Sequence, residues 1–212
     1  MPLWFYDGGG KVTITALDSD STSSVLKSSH TFSGVSFGTA SDERYLVVCA
    51  GVSTGASGTI TGVTIGGVTA TIVAAVQNGA NPISAIAIAA VPTGTSGNVV
   101  VTSSAQGVVW IMSIYSLTGL QSATEYDSGT DTTSPLQASL DVPAGGVVIA
   151  TSYLSSTDDA TGTNVTADYE ITQSGAKMES ASASFDNPQF ALNVQATQGG
   201  SPAFCAASWG PD

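Results

Sequence analysis

The sequence predicts an all-β protein, an antiparallel β-sandwich of jelly-roll type. Three observations carry that expectation. Short runs rich in Val, Ile and Thr recur along the chain, separated by Gly, Pro and Asn turn residues, at about the 8–12-residue spacing of sandwich strands. No segment holds an apolar stripe at helical spacing for three turns, and the many alanines lie among Ile, Val and Thr, which favour extended chain. Some segments alternate strictly, such as Leu136, Ala138, Leu140 and Val142 against Gln137, Ser139 and Asp141, the period-2 pattern of a half-buried strand.

Residues 1–10 form an N-terminal arm. Leu3, Trp4, Phe5 and Tyr6 stand ahead of the hinge Gly8-Gly9-Gly10. They read either as a first strand under the domain or as contacts on a neighbouring subunit, and they are the candidate partner-contact residues. In residues 11–16, Val12, Ile14 and Ala16 alternate with Thr13 and Thr15, and the stretch 18–24 (DSDSTSS) reads as a polar loop. Phe32, Val35 and Phe37 resume the strand pattern. Residues 44–52 read as a central apolar strand that opens on Arg44. Residues 62–119 are the densest apolar part. Gly66-Gly67, residues 78–82 (NGANP) and residues 92–97 (PTGTSG) divide them into what read as consecutive antiparallel strands with tight connections.

The longest polar interval, residues 123–134, is where a boundary between subdomains would fall. Strands follow at 136–142 and, after the turn Pro143-Ala144-Gly145-Gly146, at 147–150. A polar loop spans 155–164. Residues 165–172 and 178–185 are weaker strands. Phe190, Leu192, Val194 and Ala196 are expected on one face, and Gly199-Gly200-Ser201-Pro202 turns into a last strand at 203–209. Residues 11–212 thus read as one β-sandwich domain. The two parts echo each other: residues 30–53 resemble 134–155, and 86–116 resemble 190–209, as two matching halves of a jelly roll would.

Composition narrows the function. The chain has 212 residues, 42% hydrophobic and 9% charged, with sixteen acids against four bases and a net charge of −12. A disordered chain would be less apolar and more charged. No basic patch exists for phosphate, so nucleic acid is not an expected partner; an acidic surface suits solubility by repulsion or docking on a basic partner. No apolar run reaches the roughly 18–20 residues of a membrane span, and the first residues lack a secretory-signal pattern. Assembly in a host cytoplasm is the expectation. Cys49 and Cys205 lie in apolar runs and read as small buried hydrophobes.

Catalytic constellations are thin. His30 is the only histidine, at a strand edge, and no G-x-S-x-G elbow accompanies it. The acids Asp18, Asp20, Asp42, Glu43, Glu125, Asp127, Asp131, Asp158 and Asp159 fall in loop-like segments, where solvated charge explains them better than a glycosidase pair. Trp4, Trp110 and Trp209 sit in apolar runs. No enzyme and no cofactor are expected. A structural calcium ion is the one cation the pattern admits, at Asp18-Ser19-Asp20-Ser21 or within 127–131, although neither has the Gly and Glu of an EF-hand loop.

Residues 62–119 carry a family resemblance. The hairpin Val63-Thr64-Ile65-Gly66-Gly67, the apolar run 86–90, the turn 91–97, the run 99–102 and the ending 115–119 (YSLTG) follow in an order, together with the upstream run 44–48, that resembles structural proteins of tailed bacteriophages. The resemblance covers about half the chain. It implies a virion β-domain and transfers no site residue. The function expected is a capsid decoration or cement protein docked on the major capsid protein or other virion proteins. It would be present as a homo-oligomer, a trimer among the options, and would act by buried interface over many copies. The alternative is a tail or fibre component that binds a carbohydrate receptor.

Overall fold

A computed structural model describes residues 10–120, 122–154, 161–197 and 200–211. The described chain is built of β-strands and turns. In chain order the strands are β1 (Thr13–Ser36), β2 (Tyr45–Thr54), β3 (Ile60–Ile65), β4 (Val68–Thr69), β5 (Thr71–Gln77), β6 (Pro82–Ala90) and β7 (Ser96–Thr118). There follow β8 (Asp127–Asp131), β9 (Leu136–Val142), β10 (Val147–Leu154), β11 (Thr161–Thr163), β12 (Thr166–Gln173), β13 (Ala176–Ser184), β14 (Gln189–Thr197) and β15 (Ala203–Trp209). All pairings are antiparallel, so the all-β, sandwich-like expectation holds.

The strands form three sheets. In the first, β5-β6-β2-β7-β1 lie side by side, and β3 with β4 adds to the N-terminal half of β7. Its ends curl towards each other until β3 faces β5 and β6, making a nearly closed barrel. The second sheet runs β12-β13-β10-β15-β8 and the third β11-β14-β9. Side chains alternate between faces, so β2 sends Leu46, Val48, Ala50 and Val52 into the barrel with Phe32, Val63, Ala85, Val101 and Met112. Its other face sends Val47 and Cys49 against Ile149, Met178, Cys205 and Trp209 of the second sheet. That sheet's far face, with Val148 and Phe204, packs on Leu136, Leu140 and Val194 of the third. Hence β2, β6, β10 and β15 are apolar on both faces: each is covered on both.

The order β5-β6-β2-β7-β1 recurs as β12-β13-β10-β15-β8, and β3, the start of β7 and the end of β1 recur as β11-β14-β9. The long strands of the first part are each divided in two in the second. Individual hydrogen bonds recur as well. Arg44 N donates to Ser41 O and Val91 N to Arg44 O; Gly146 N donates to Pro143 O and Phe185 N to Gly146 O. Gly51 of β2 and Tyr153 of β10, which stand at matching places, meet across the interface between the parts. A Cβ on Gly51 would lie 2.1 Å from the Tyr153 ring.

Several sequence expectations need correction, among them the polar loop expected at 155–164, whose residues Thr161–Thr163 are strand β11. The polar stretch 18–24 is strand, the middle of the 24-residue β1. Its Ser19 to Ser23 pair with Ser113 to Val109 of β7; an apolar partner strand supplies the ladder that short polar side chains do not advertise. Likewise the run 99–102 and the ending that starts at Tyr115 belong to one strand, β7, and β6 does not pair with it because β2 lies between them. The polar interval 123–134 contains β8, an edge strand on β15. Cys49 and Cys205 are both free and buried, as small hydrophobes.

Candidate docking site

The acids singled out in the sequence serve mainly as backbone acceptors. Asp18 takes Ser19 N on one oxygen at 2.8 Å and Ser36 N on the other at 2.9 Å. Asp127 on β8 takes Ser128 N and, across to β9, Asp141 N at 2.8 Å. Asp131 takes Thr132 N, Thr133 N and Gln137 N. The Asp127 and Asp131 carboxylates bridge β8 to β9, where the second sheet meets the third, and charge-assisted bonds of this kind are the strong ones. Asp20 accepts only from its neighbour Ser21 N among the bonds described. Asp42 and Glu43 are exposed in the turn before β2. Among the described residues no group of three or more His, Cys, Asp or Glu converges as metal ligands. Leu3, Trp4, Phe5, Tyr6, Asp158 and Asp159 lie outside the described residues.

His30 is half-buried with its ring 4.6 Å edge-on from Phe32 and 6.2 Å from Trp110. Burial, then the charge of Lys27, lowers its pKa; Asp20 opposes the shift. It lies at the rim of the barrel core among aromatic rings rather than beside an activated hydroxyl. Lys177 is buried against Glu170 at 2.9 Å and Glu179 at 3.5 Å. The cavity that Glu179 helps to line, with Ala150, Thr151 and Phe204, measures about 20 Å³, room for little more than one water. Tyr169 packs edge-on against Tyr115 at 5.9 Å, and burial, then Asp18 and Asp168, push its hydroxyl up to about 12.

The two matching turns are finished differently. At the first, the Arg44 guanidinium is fully buried and donates to six carbonyls: Val91 at 2.7 Å, Phe37 at 2.9 Å, Gly38 at 3.3 Å, Thr39 at 3.0 Å, and Thr93 and Gly94 at 2.8 Å each. It seals that end of the barrel. The matching residue at the second turn is Gly146, where a Cβ would lie 2.7 Å from Trp209 O and 2.8 Å from Pro143 O. No side chain can fill that end from this position.

That unsealed end carries the two most exposed aromatic side chains described, Phe190 at 79% and Tyr126 at 59%. The alternation in the sequence places Phe190 inside with Leu192, Val194 and Ala196; the structure turns it out. A bulge between Gln189 and Leu192 shifts the register, Ala191 adopts φ 49°, and Asp141 Oδ1 accepts the Ala191 N–H at 2.8 Å. Alanine in the left-handed region carries strain of about 1 kcal/mol, and bulges re-aim side chains. Beside Tyr126, a groove of about 170 Å³ is lined by Ser122, Thr124, Glu125, Pro143, Gly210 and Pro211. The first described residues, 10–12, lie at the same place. Val12 N donates to Gly145 O at 2.9 Å, and Lys11 pairs with Asp186.

Sequence reasoning missed this end because the bulge is invisible to a period-2 pattern. The one available signal was the turn 143–146 sharing its place in the echo with Arg44. The chain matches no family model, no curated protein and no solved structure in comparisons with each.

Proposed function

We propose that this chain is a structural protein of a tailed-phage particle, a capsid decoration protein that docks on the major capsid protein through the Tyr126–Phe190 end. The carrying observation is Phe190, held out at 79% exposure on a strained bulge that Asp141 fixes. Sequences place strain and exposed aromatics where contacts need them. The phage resemblance of residues 62–119 and the net charge of −12 agree with docking on a basic lattice partner. Leu3, Trp4, Phe5 and Tyr6, ahead of Gly10 in the chain, are further contact candidates on the sequence alone.

The test adds purified protein to bare capsids and measures bound copies by sedimentation and cryo-electron microscopy. Saturable lattice binding that Phe190→Ser with Tyr126→Ser reduces at least tenfold, about 1.4 kcal/mol, is the expected result. Binding unchanged in the double variant, or copies confined to the tail, sinks the proposal. A second reading is favoured by the groove at Tyr126, where the hydroxyls of Ser122 and Thr124 and the Glu125 carboxylate flank an aromatic ring. That is the chemistry of sugar recognition by a tail or fibre receptor-binding component, and a glycan array separates the two.

A further inference from the structure

We propose that the outer sheet of the barrel, formed by the end of β1, the start of β7, β3 and β4, is the surface through which this chain meets a second copy of itself. Charge singles it out. Residues 45–124 hold no Asp, Glu, Lys, Arg or His, although the chain carries a net charge of −12. They supply all of β2 to β7. The end of β1 that flanks them, residues 28–36, adds only His30, whose ring is turned to Phe32 and Trp110. The described acids lie on the first half of β1, on β8, β9, β12 and β13, and in turns. The barrel therefore turns an uncharged sheet to solvent on an otherwise acidic molecule.

The register defines the face. Thr31 pairs with Val100, Val100 with Thr64 and Thr64 with Thr69, one outward row across four strands. Thr31 and Thr69 are exposed, and Val100 and Thr64 are half-buried. Two residues along β7, Thr102 Oγ1 donates to Ser29 Oγ at 3.4 Å on the same side. The outward alternation on β7 continues through Gln106 to Val108, which is 37% exposed. Leu26, 55% exposed, adjoins the same stretch at the Lys27–Gly107 pair. Four strands at about 4.8 Å and the run 98–108 at about 3.3 Å per residue give roughly 600 Å² of face, near the roughly 800 Å² per partner of a standard interface. A second copy is the occupant because contact between identical chains sets like charges against each other. At a net charge of −12 an uncharged face escapes that repulsion, whereas a basic partner would select the acidic surface. Thr and Val offer methyl groups to bury, and hydroxyls both donate and accept, so such a face complements itself. The proposal is independent of the docking end, which Tyr126 and Phe190 mark on the other part of the chain.

The test is sedimentation equilibrium of the whole chain across a range of concentrations. It compares the native sequence, Thr31→Lys with Thr69→Lys, and a control pair, Ser139→Lys with Thr166→Lys, at exposed positions of β9 and β12. Both pairs reduce the negative charge equally, so only their placement differs. The expected result is reversible self-association whose Kd rises at least about tenfold in the outer-sheet pair and does not rise in the control. Raising salt from about 0.01 M to about 0.15 M should strengthen the association, because it screens the overall repulsion and the interface holds no ion pair to weaken. Urea midpoints of the two pairs should agree; if they do not, Gln106→Lys, exposed on the same face, must reproduce the loss. A native chain that stays monomeric overturns the proposal, as does self-association unchanged in the outer-sheet variants or weakened by salt. A monomer whose capsid binding fails in the outer-sheet pair also overturns it and assigns the sheet to the capsid.

Discussion

Replacing Arg44 with methionine tests the account of the sealed end most sharply. Methionine preserves much of the buried stem and removes the guanidinium, which donates to six carbonyls. Those of Gly38, Thr39, Thr93 and Gly94 are in part-buried bonds, at turns where water can replace the lost donor. Those of Phe37 and Val91 are in buried bonds and cannot be rehydrated without opening the barrel. Two stranded carbonyls at about 1–3 kcal/mol each give a loss of about 2–6 kcal/mol. Relief from burying a lone cation offsets part of it, so we expect about 3 kcal/mol. Against a typical total of about 5–15 kcal/mol, such a loss moves the urea midpoint far. The measurement is equilibrium unfolding in urea followed by tryptophan fluorescence, with Trp110 reporting the barrel and Trp209 the interface between the sheets. Arg44→Lys should recover only part of the loss, because one ammonium cannot span the turns at 37–39 and 91–94. A loss under about 1 kcal/mol in Arg44→Met, or full stability in Arg44→Lys, refutes the reasoning.

Three further outcomes are expected. Gly51→Ala puts a methyl 2.1 Å from the Tyr153 ring; such overpacking costs about 1–3 kcal/mol, read by calorimetry, and Tyr153→Leu in the same chain should recover part of it. His30 has a folded pKa below its unfolded value. Below the ordinary value near 6.5 the unfolded chain therefore binds the proton more readily, and stability falls as pH falls through that value towards the folded pKa. Unfolding midpoints from pH 7.5 to 5 should show this slope, and His30→Gln should lose that component; an identical slope in both proteins refutes the assignment. Burial raises both thiols, Cys205 to about 12. A thiol reagent at pH 8 should therefore label neither cysteine in the native protein and both in denaturant, and fast native labelling would contradict the packing of β2 and β15.

The sequence alone determined the fold class, the central strand at 44–52, which is β2, and the alternating strand β9, whose burial follows its pattern residue by residue. Those features are local: an apolar run or a period of two states how much of each residue is covered. It also held an echo between the two parts, and the same strand order recurs in the folded chain. Only the tertiary structure decided which strands lie side by side. Ladder partners are chosen across long stretches of chain, so the polar segment 18–24 became strand once β7 lay beside it, and β2 came between β6 and β7. It also decided the two ends. Arg44 reads in sequence as a charge opening a strand, and it becomes a seal because two distant turns converge on it. Phe190 reads as core, and one inserted residue in the ladder, held by a carboxylate 50 positions away in the chain, turns it to solvent. Side-chain direction along a strand persists only while the register does, and register belongs to the pair of strands, not to either one.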